Sequence, residues 1–132
     1  MNSNDFTTLN ELFLKAIEKY NKPDCLQYKS DGHYRGISSR EALRKAAALA
    51  SALERLGARP GERIALLSEN RPEWTLTDYA ILGMRAITVP IYPTLLEPDL
   101  EFILRDSESR ASPWPRTSNS ERSSTSGAGC RL

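Results

Sequence analysis

Apolar positions recur at helical spacing near the start of the chain. Leu9, Leu12, Phe13, Ala16, Ile17 and Tyr20 lie three or four residues apart, which predicts an amphipathic helix. Thr8 followed by Glu11 supplies a capping box at its start. Turn-forming residues 21–24 then lead into two short β-rich runs, 25–29 and 34–37, around Ser30, Asp31, Gly32 and His33, an order that predicts a hairpin. Ser38 and Glu41 form a second capping box, and Leu43, Ala46, Ala47, Ala50, Leu53 and Leu56 make an alanine-rich stripe ending at Gly57. Small residues on that stripe suit a helix packed closely on a sheet.

The pattern changes after the turn at Arg59, Pro60 and Gly61. Residues 64–67 are continuously apolar, as in a parallel strand covered on both faces. Pro72 suits the first turn of a following helix that carries Trp74, Tyr79 and Met84, and residues 86–91 form a second β-rich run. Strand, helix, strand in that order is a βαβ unit, which closes right-handed. Residues 99–106 place Leu100, Ile103 and Leu104 at helical spacing, so another helix is expected. The third parallel strand it should feed is not expected in this sequence.

From about Arg110 the chain is rich in Ser, Arg, Pro and Gly, with no Val, Ile, Met, Phe or Tyr. That composition cannot bury enough apolar surface to order itself, so a disordered tail is expected over 110–132. The same stretch is compatible with a shift of reading frame near Arg110. Read one base earlier, TCN serine codons at Ser118, Ser123, Ser124 and Ser126 become codons for Phe, Leu, Ile or Val. Sequencing the coding DNA tests this, since an intact frame whose alternative reading contains stops excludes the shift.

With 132 residues and a net charge of +1, the chain has room for one modest domain. Basic and acidic residues alternate, leaving neither a basic stripe for nucleic acid nor a polybasic cluster for anionic lipid. Cys25 and Cys130 are far apart, and the N-terminus is polar without a signal-like apolar core, so a reduced, cytoplasmic setting is expected. No apolar run reaches the roughly 20 residues of a membrane-spanning helix.

The segment Leu67, Ser68, Glu69, Asn70, Arg71, Pro72, Glu73, Trp74, followed by Val89, Pro90, Ile91, Tyr92, Pro93, Thr94, resembles the N-terminal domain of the adenylate-forming, AMP-binding superfamily. It is most similar to the long-chain acyl-CoA synthetase branch. Further matches lie at 34–38, 56–63 and 102–107, so the resemblance covers about residues 9 to 109. It implies an α/β fold: a partial N-terminal subdomain with βαβ units and an incomplete parallel sheet over 9–109, then the disordered tail. It also implies a parent ligase that uses ATP, Mg²⁺ and CoA, makes an acyl-adenylate from a fatty acid with release of pyrophosphate, and passes the acyl group to the CoA thiol. Peripheral membrane association of that parent fits the same resemblance.

The phosphate loop, the Tyr-Thr-Glu-type segment, the ribose-binding aspartate and the catalytic lysine that the resemblance implies have no counterpart in these 132 residues. Without phosphate-binding donors and a cation, charge developing in adenylation has no stabiliser. No catalytic, cofactor-binding or metal-ligating residue is therefore assigned, and no activity is expected of this polypeptide alone. Thr125, Ser126, Gly127, Ala128 and Gly129 echo a phosphate loop but lack its lysine and follow no apolar strand.

Other candidates read as structure. Arg71 is expected to cap a helix or stay solvated, and Trp74, Tyr79 and Tyr92 to sit in the core. His33 is expected exposed in the hairpin turn, and Cys25 as a small buried apolar residue. Glu11, Glu41, Glu69, Glu73 and Asp78 are accounted for by caps and solvated helix faces. Two other functions fit: a non-catalytic interaction module pairing through an exposed sheet edge or self-associating, and one half of a split ligase that binds its downstream half.

Overall fold

A computed structural model describes residues 6–111. Helix α1, Leu9–Tyr20, leads into a hairpin of β1, Leu26–Ser30, and β2, His33–Ile37. Helix α2, Ser39–Arg55, precedes the parallel strand β3, Arg63–Leu67; then come α3, Pro72–Gly83, β4, Ile87–Ile91, α4, Glu97–Asp106, and β5, Arg110–Ala111.

Local chemistry accounts for most boundaries. Thr8 Oγ1 accepts from the Glu11 N–H at 3.1 Å, but the Glu11 carboxylate reaches back to the N–H of Thr7, at 2.8 Å, one residue before the expected partner. Ser38 Oγ accepts from the Glu41 N–H at 3.2 Å, while the Glu41 carboxylate is drawn to Lys45 Nζ at 2.9 Å. The hairpin turns on Asp31 and Gly32, both with positive φ, 52° and 80°, as a two-residue turn between right-twisted strands requires. His33 is therefore the first residue of β2, paired with Ser30, and not part of the turn; it is exposed as expected. A Cβ at Gly36 would stand 2.9 Å from Asp24 Cβ, so the chain entering β1 passes too close for any larger residue.

The three-stranded sheet has the order β4-β3-β5, and both pairings are parallel. The expectation of no third strand is thus corrected: the chain leaves α4 and lays Arg110 and Ala111 beside Ile64 and Ala65. The step from β3 to β4 and the step from β4 back across β3 to β5 run in opposite directions, so right-handed crossovers carry α3 and α4 to opposite faces. The expectation of a disordered tail lies, beyond Ala111, outside the described residues, as do the frame change and the glycine-rich echo.

One core cluster joins Leu53, Ile64, Ile81, Met84 and Ala86; a second joins Ile37, Ala42 and Leu76, with Ile17, Leu26 and Leu49 packed on it. The buried face of α2 consists of Ser39, Ala42, Ala46 and Leu53, whereas Leu43 and Leu56 of the expected stripe are exposed. The helix is rotated because its main neighbour is α3 and it meets the sheet's core cluster only through Leu53. Ser39 is buried for a polar reason: its N–H donates to the Lys22 carbonyl at 2.8 Å, and its Oγ accepts from the Lys22 N–H at 2.9 Å. Ile64, Ala65 and Leu66 are buried as expected of a covered strand, but Leu67 at its end is half exposed.

Candidate functional site

Parallel strands end with their carbonyl groups facing the same way, and the loops that follow them form a crevice, the common ligand site of open α/β sheets. Here the loops after β3 and β4 enclose an open cleft of about 570 Å³ lined by Ser68, Glu69, Asn70, Trp74, Pro90, Ile91, Tyr92, Pro93 and Thr94. Trp74 enters from the first turn of α3, while Pro90 to Thr94 arrive on the end of β4 and its loop. The walls are mainly apolar and aromatic, with polar side chains Ser68, Glu69 and Asn70 on the β3 loop and Thr94 on the β4 loop.

Pro72 occupies the start of α3, and Arg71 precedes it at the cap position with extended backbone, φ −149°, and no side-chain capping bond. Its guanidinium instead donates to the Glu73 carboxylate, Nε to Oε2 2.8 Å. Burial pushes the Glu73 carboxyl upward, but the Arg71 hydrogen bond, the backbone donor and the Arg71 and Lys45 charges outweigh it and hold the group below its ordinary value. Of the two expectations for Arg71, the side-chain cap is not formed, and the exposed position is observed.

The three aromatic residues expected in the core separate. Tyr79 is half-buried and stacks on Phe13, ring centroids 3.7 Å apart; burial first, and Asp78 second, push its hydroxyl pKa up. Trp74 is half-buried at the cleft. Tyr92 is 76 % exposed, a correction of the core assignment; it stands on a loop at the open end of the sheet, where no element covers it. Cys25 is also corrected: it is exposed, because the strand begins at Leu26 and its thiol turns to the Ile37 carbonyl, 3.3 Å.

Among the described residues no group of three His, Cys, Asp or Glu side chains is placed to hold a metal ion. The described lining carries the acid Glu69 and no Lys or Arg. Among the described residues, the lining therefore supplies none of the positive charge that a polyphosphate calls for. Its mainly apolar walls with a few polar groups are of the kind that line ligand clefts. The composition alone marks none of these residues; the signal that does is position, since both loops directly follow adjacent parallel strands.

No helix among the described residues is long and apolar enough to cross a membrane. The family profile described as "AMP-binding enzyme" matches residues 13–122. The chain is 38 % identical over 88 residues to the long-chain-fatty-acid–CoA ligase FadD15 of Mycobacterium bovis, covering 65 % of this chain and 15 % of that protein. Human long-chain-fatty-acid–CoA ligase 1 is 30 % identical over 107 residues, again 15 % of its length. In fold, the chain superposes on the crystal structure of CmiS6 with a TM-score of 0.73 at 21 % identity, covering 83 % of this chain and 26 % of that one.

Proposed function

The chain belongs to the AMP-binding enzyme family, and on that premise we propose that it is the N-terminal portion of an ATP-dependent long-chain fatty acid–CoA ligase. The observation that carries the finer reading is the 38 % identity to a long-chain ligase over 88 residues, a stretch that is 15 % of that ligase. The whole reaction would join a fatty acid to ATP as an acyl-adenylate and then transfer the acyl group to CoA. Residues 9–109 are the portion of the N-terminal subdomain present. The tail proposed over 110–132 overlaps the family match, which runs to residue 122, and its first two residues, Arg110 and Ala111, belong to β5.

On this reading the 132-residue chain is a scaffold without adenylation chemistry of its own. The sequence supports this, since the phosphate loop and lysine that the resemblance implies have no counterpart in it, and a site that builds an acyl-phosphate anhydride needs donors and positive charge around the phosphates. What the chain does contribute is a shaped, mainly apolar wall at the open ends of β3 and β4. Fatty-acid-dependent pyrophosphate release is the deciding assay. The purified chain is expected to release none, and mixing it with the downstream polypeptide of a long-chain ligase is expected to restore release. Acyl-CoA formation by the 132 residues alone would end this reading. A second reading, an interaction module, is favoured by the apolar side chains that α4 and its approach expose, Leu96 at 70 % and Phe102 at 68 %.

A further inference from the structure

We propose that the tip of the β1–β2 hairpin is a site of covalent modification, where the Asp31–Gly32 link rearranges through a cyclic imide to an isoaspartyl linkage. The site involves none of the residues that line the cleft, and it does not depend on the reaction of the longer chain. The step is an intramolecular acyl substitution. The Gly32 backbone nitrogen attacks the carboxyl carbon of the Asp31 side chain, a nitrogen–carbon bond forms, and the carboxyl hydroxyl leaves with the amide proton as water. Water then reopens the ring. Opening at the side-chain carbonyl restores aspartate, whereas opening at the backbone carbonyl leaves the chain running through the Asp31 side chain.

The turn presents both reacting groups. Asp31 precedes a glycine, which no other aspartate or asparagine of the sequence does, and a glycine puts no side chain beside its own nitrogen. The Asp31 side chain is 84 % exposed. A Cβ placed on Gly32 would meet nothing within 4 Å, so no packed neighbour shields the attacking nitrogen. The β1–β2 ladder closes with Ser30 opposite His33, which leaves the Gly32 N–H outside it. The other described aspartates precede a nitrogen that is held or hindered. Those after Asp99 and Asp106 donate to helix carbonyls, Leu100 to Leu96 at 3.0 Å and Ser107 to Ile103 at 2.9 Å. Asp78 lies inside α3, and Asp24 precedes Cys25, whose side chain stands next to the nitrogen. What restrains Asp31 is the hold on its own carboxylate: Ser30 Oγ donates to Oδ2 at 3.1 Å, and an Arg35 guanidinium nitrogen stands 3.9 Å from the same oxygen. Both partners are on the surface, where such contacts are weak and open often.

The rearranged link is longer by one backbone atom, the Asp31 Cβ. A tight turn from Ser30 to His33 does not accommodate it, because turn length and backbone twist fix the register of a hairpin. The hairpin therefore opens from its tip. Its base stays in place, since Ile37 is buried in the cluster with Ala42 and Leu76, and Leu26, its partner across the ladder, packs on the same cluster.

The test ages the purified 132-residue chain in warm, neutral buffer made with heavy-oxygen water, then digests it and reads each aspartate by mass spectrometry. Ring opening writes the heavy oxygen into the residue, and fragmentation of the peptide tells isoaspartate from aspartate. Label and isoaspartate are expected to accumulate at Asp31 at least about tenfold faster than at Asp24, Asp78, Asp99 or Asp106. Asp31→Asn keeps the residue pair that such a turn favours and closes the same ring with loss of ammonia, so it is expected to react faster still. NMR of the aged chain is expected to show the Ser30 and His33 amides displaced and those of Leu26 and Ile37 in place. Equal labelling at all of these aspartates would overturn the assignment, as would an Asp31→Asn chain that keeps its side-chain amide. An isoaspartyl form with unmoved Ser30 and His33 signals would refute the opening of the hairpin.

Discussion

The Glu11 carboxylate accepts from the Thr7 N–H at 2.8 Å and the Thr7 hydroxyl at 3.0 Å, and pairs with Lys15 Nζ at 3.0 Å. The Thr7 backbone bond first, then Lys15 and the Thr7 hydroxyl, lower its pKa from the ordinary 4.5 to about 2. A carboxyl lowered in the folded state stabilises that state above its unfolded value and ceases to do so as pH falls through the folded value. The start of α1 is therefore expected to keep its cap at pH 5 and above and to fray as pH drops from about 4.5 towards 2. An NMR titration of the Glu11 side chain should show a midpoint near 2; a midpoint near 4.5 would mean the Thr7 bond is not formed in solution. Glu11 and Thr8 were both legible in the sequence as a cap. Which N–H the carboxylate takes depends on the path of the preceding residue, and no spacing rule states that.

Helix α4, like α1, has no fully buried residue, and Leu96 at its cap position has no side-chain acceptor for the orphan donors of the first turn. Leu96→Ser supplies that acceptor and removes a 70 %-exposed leucine. It is expected to stabilise the helix by about 0.5–2 kcal/mol, the usual worth of an N-cap. Slower amide exchange along 97–106 would show the gain, and unchanged or faster exchange would contradict it. Helix α2 shows what periodicity leaves open. Ala42, Leu43, Ala46 and Ala47 supply two adjacent stripes, each at spacing four. Alanine buries so little area that the pattern alone does not choose between them. The choice fell to α3, which packs against Ala42 and its stripe through the cluster of Ile37 and Leu76.

Across the whole molecule, apolar surface is left uncovered at several places at once: Leu67 and Ile87 on the sheet, Leu96 and Phe102 on and before α4, and Tyr92 at the cleft. Each large side chain left in water forgoes roughly 1.5–3 kcal/mol of burial. The free chain is therefore expected to associate with itself as its concentration rises and to be cleared quickly in cells. Phe102→Lys is expected to lower that association, measured by light scattering behind size-exclusion chromatography, with little effect on the Ile81 core cluster. A purified monomer with a sharp, cooperative thermal transition would contradict the expectation.

The order of elements as far as α4, both serine or threonine caps, the hairpin and the βαβ unit were readable because they depend on hydrogen bonds and side chains a few residues apart along the chain. The family was readable too, because its signature lies in two short segments, the Ser68–Trp74 region and the strand that ends at Tyr92. The buried face of α2, the exposure of Cys25 and Tyr92, the placing of Arg110 and Ala111 beside β3, and the cleft itself were decided by contacts between segments distant in sequence. Packing of that kind depends on which surface arrives opposite, and a one-dimensional pattern of apolar and polar residues does not contain it.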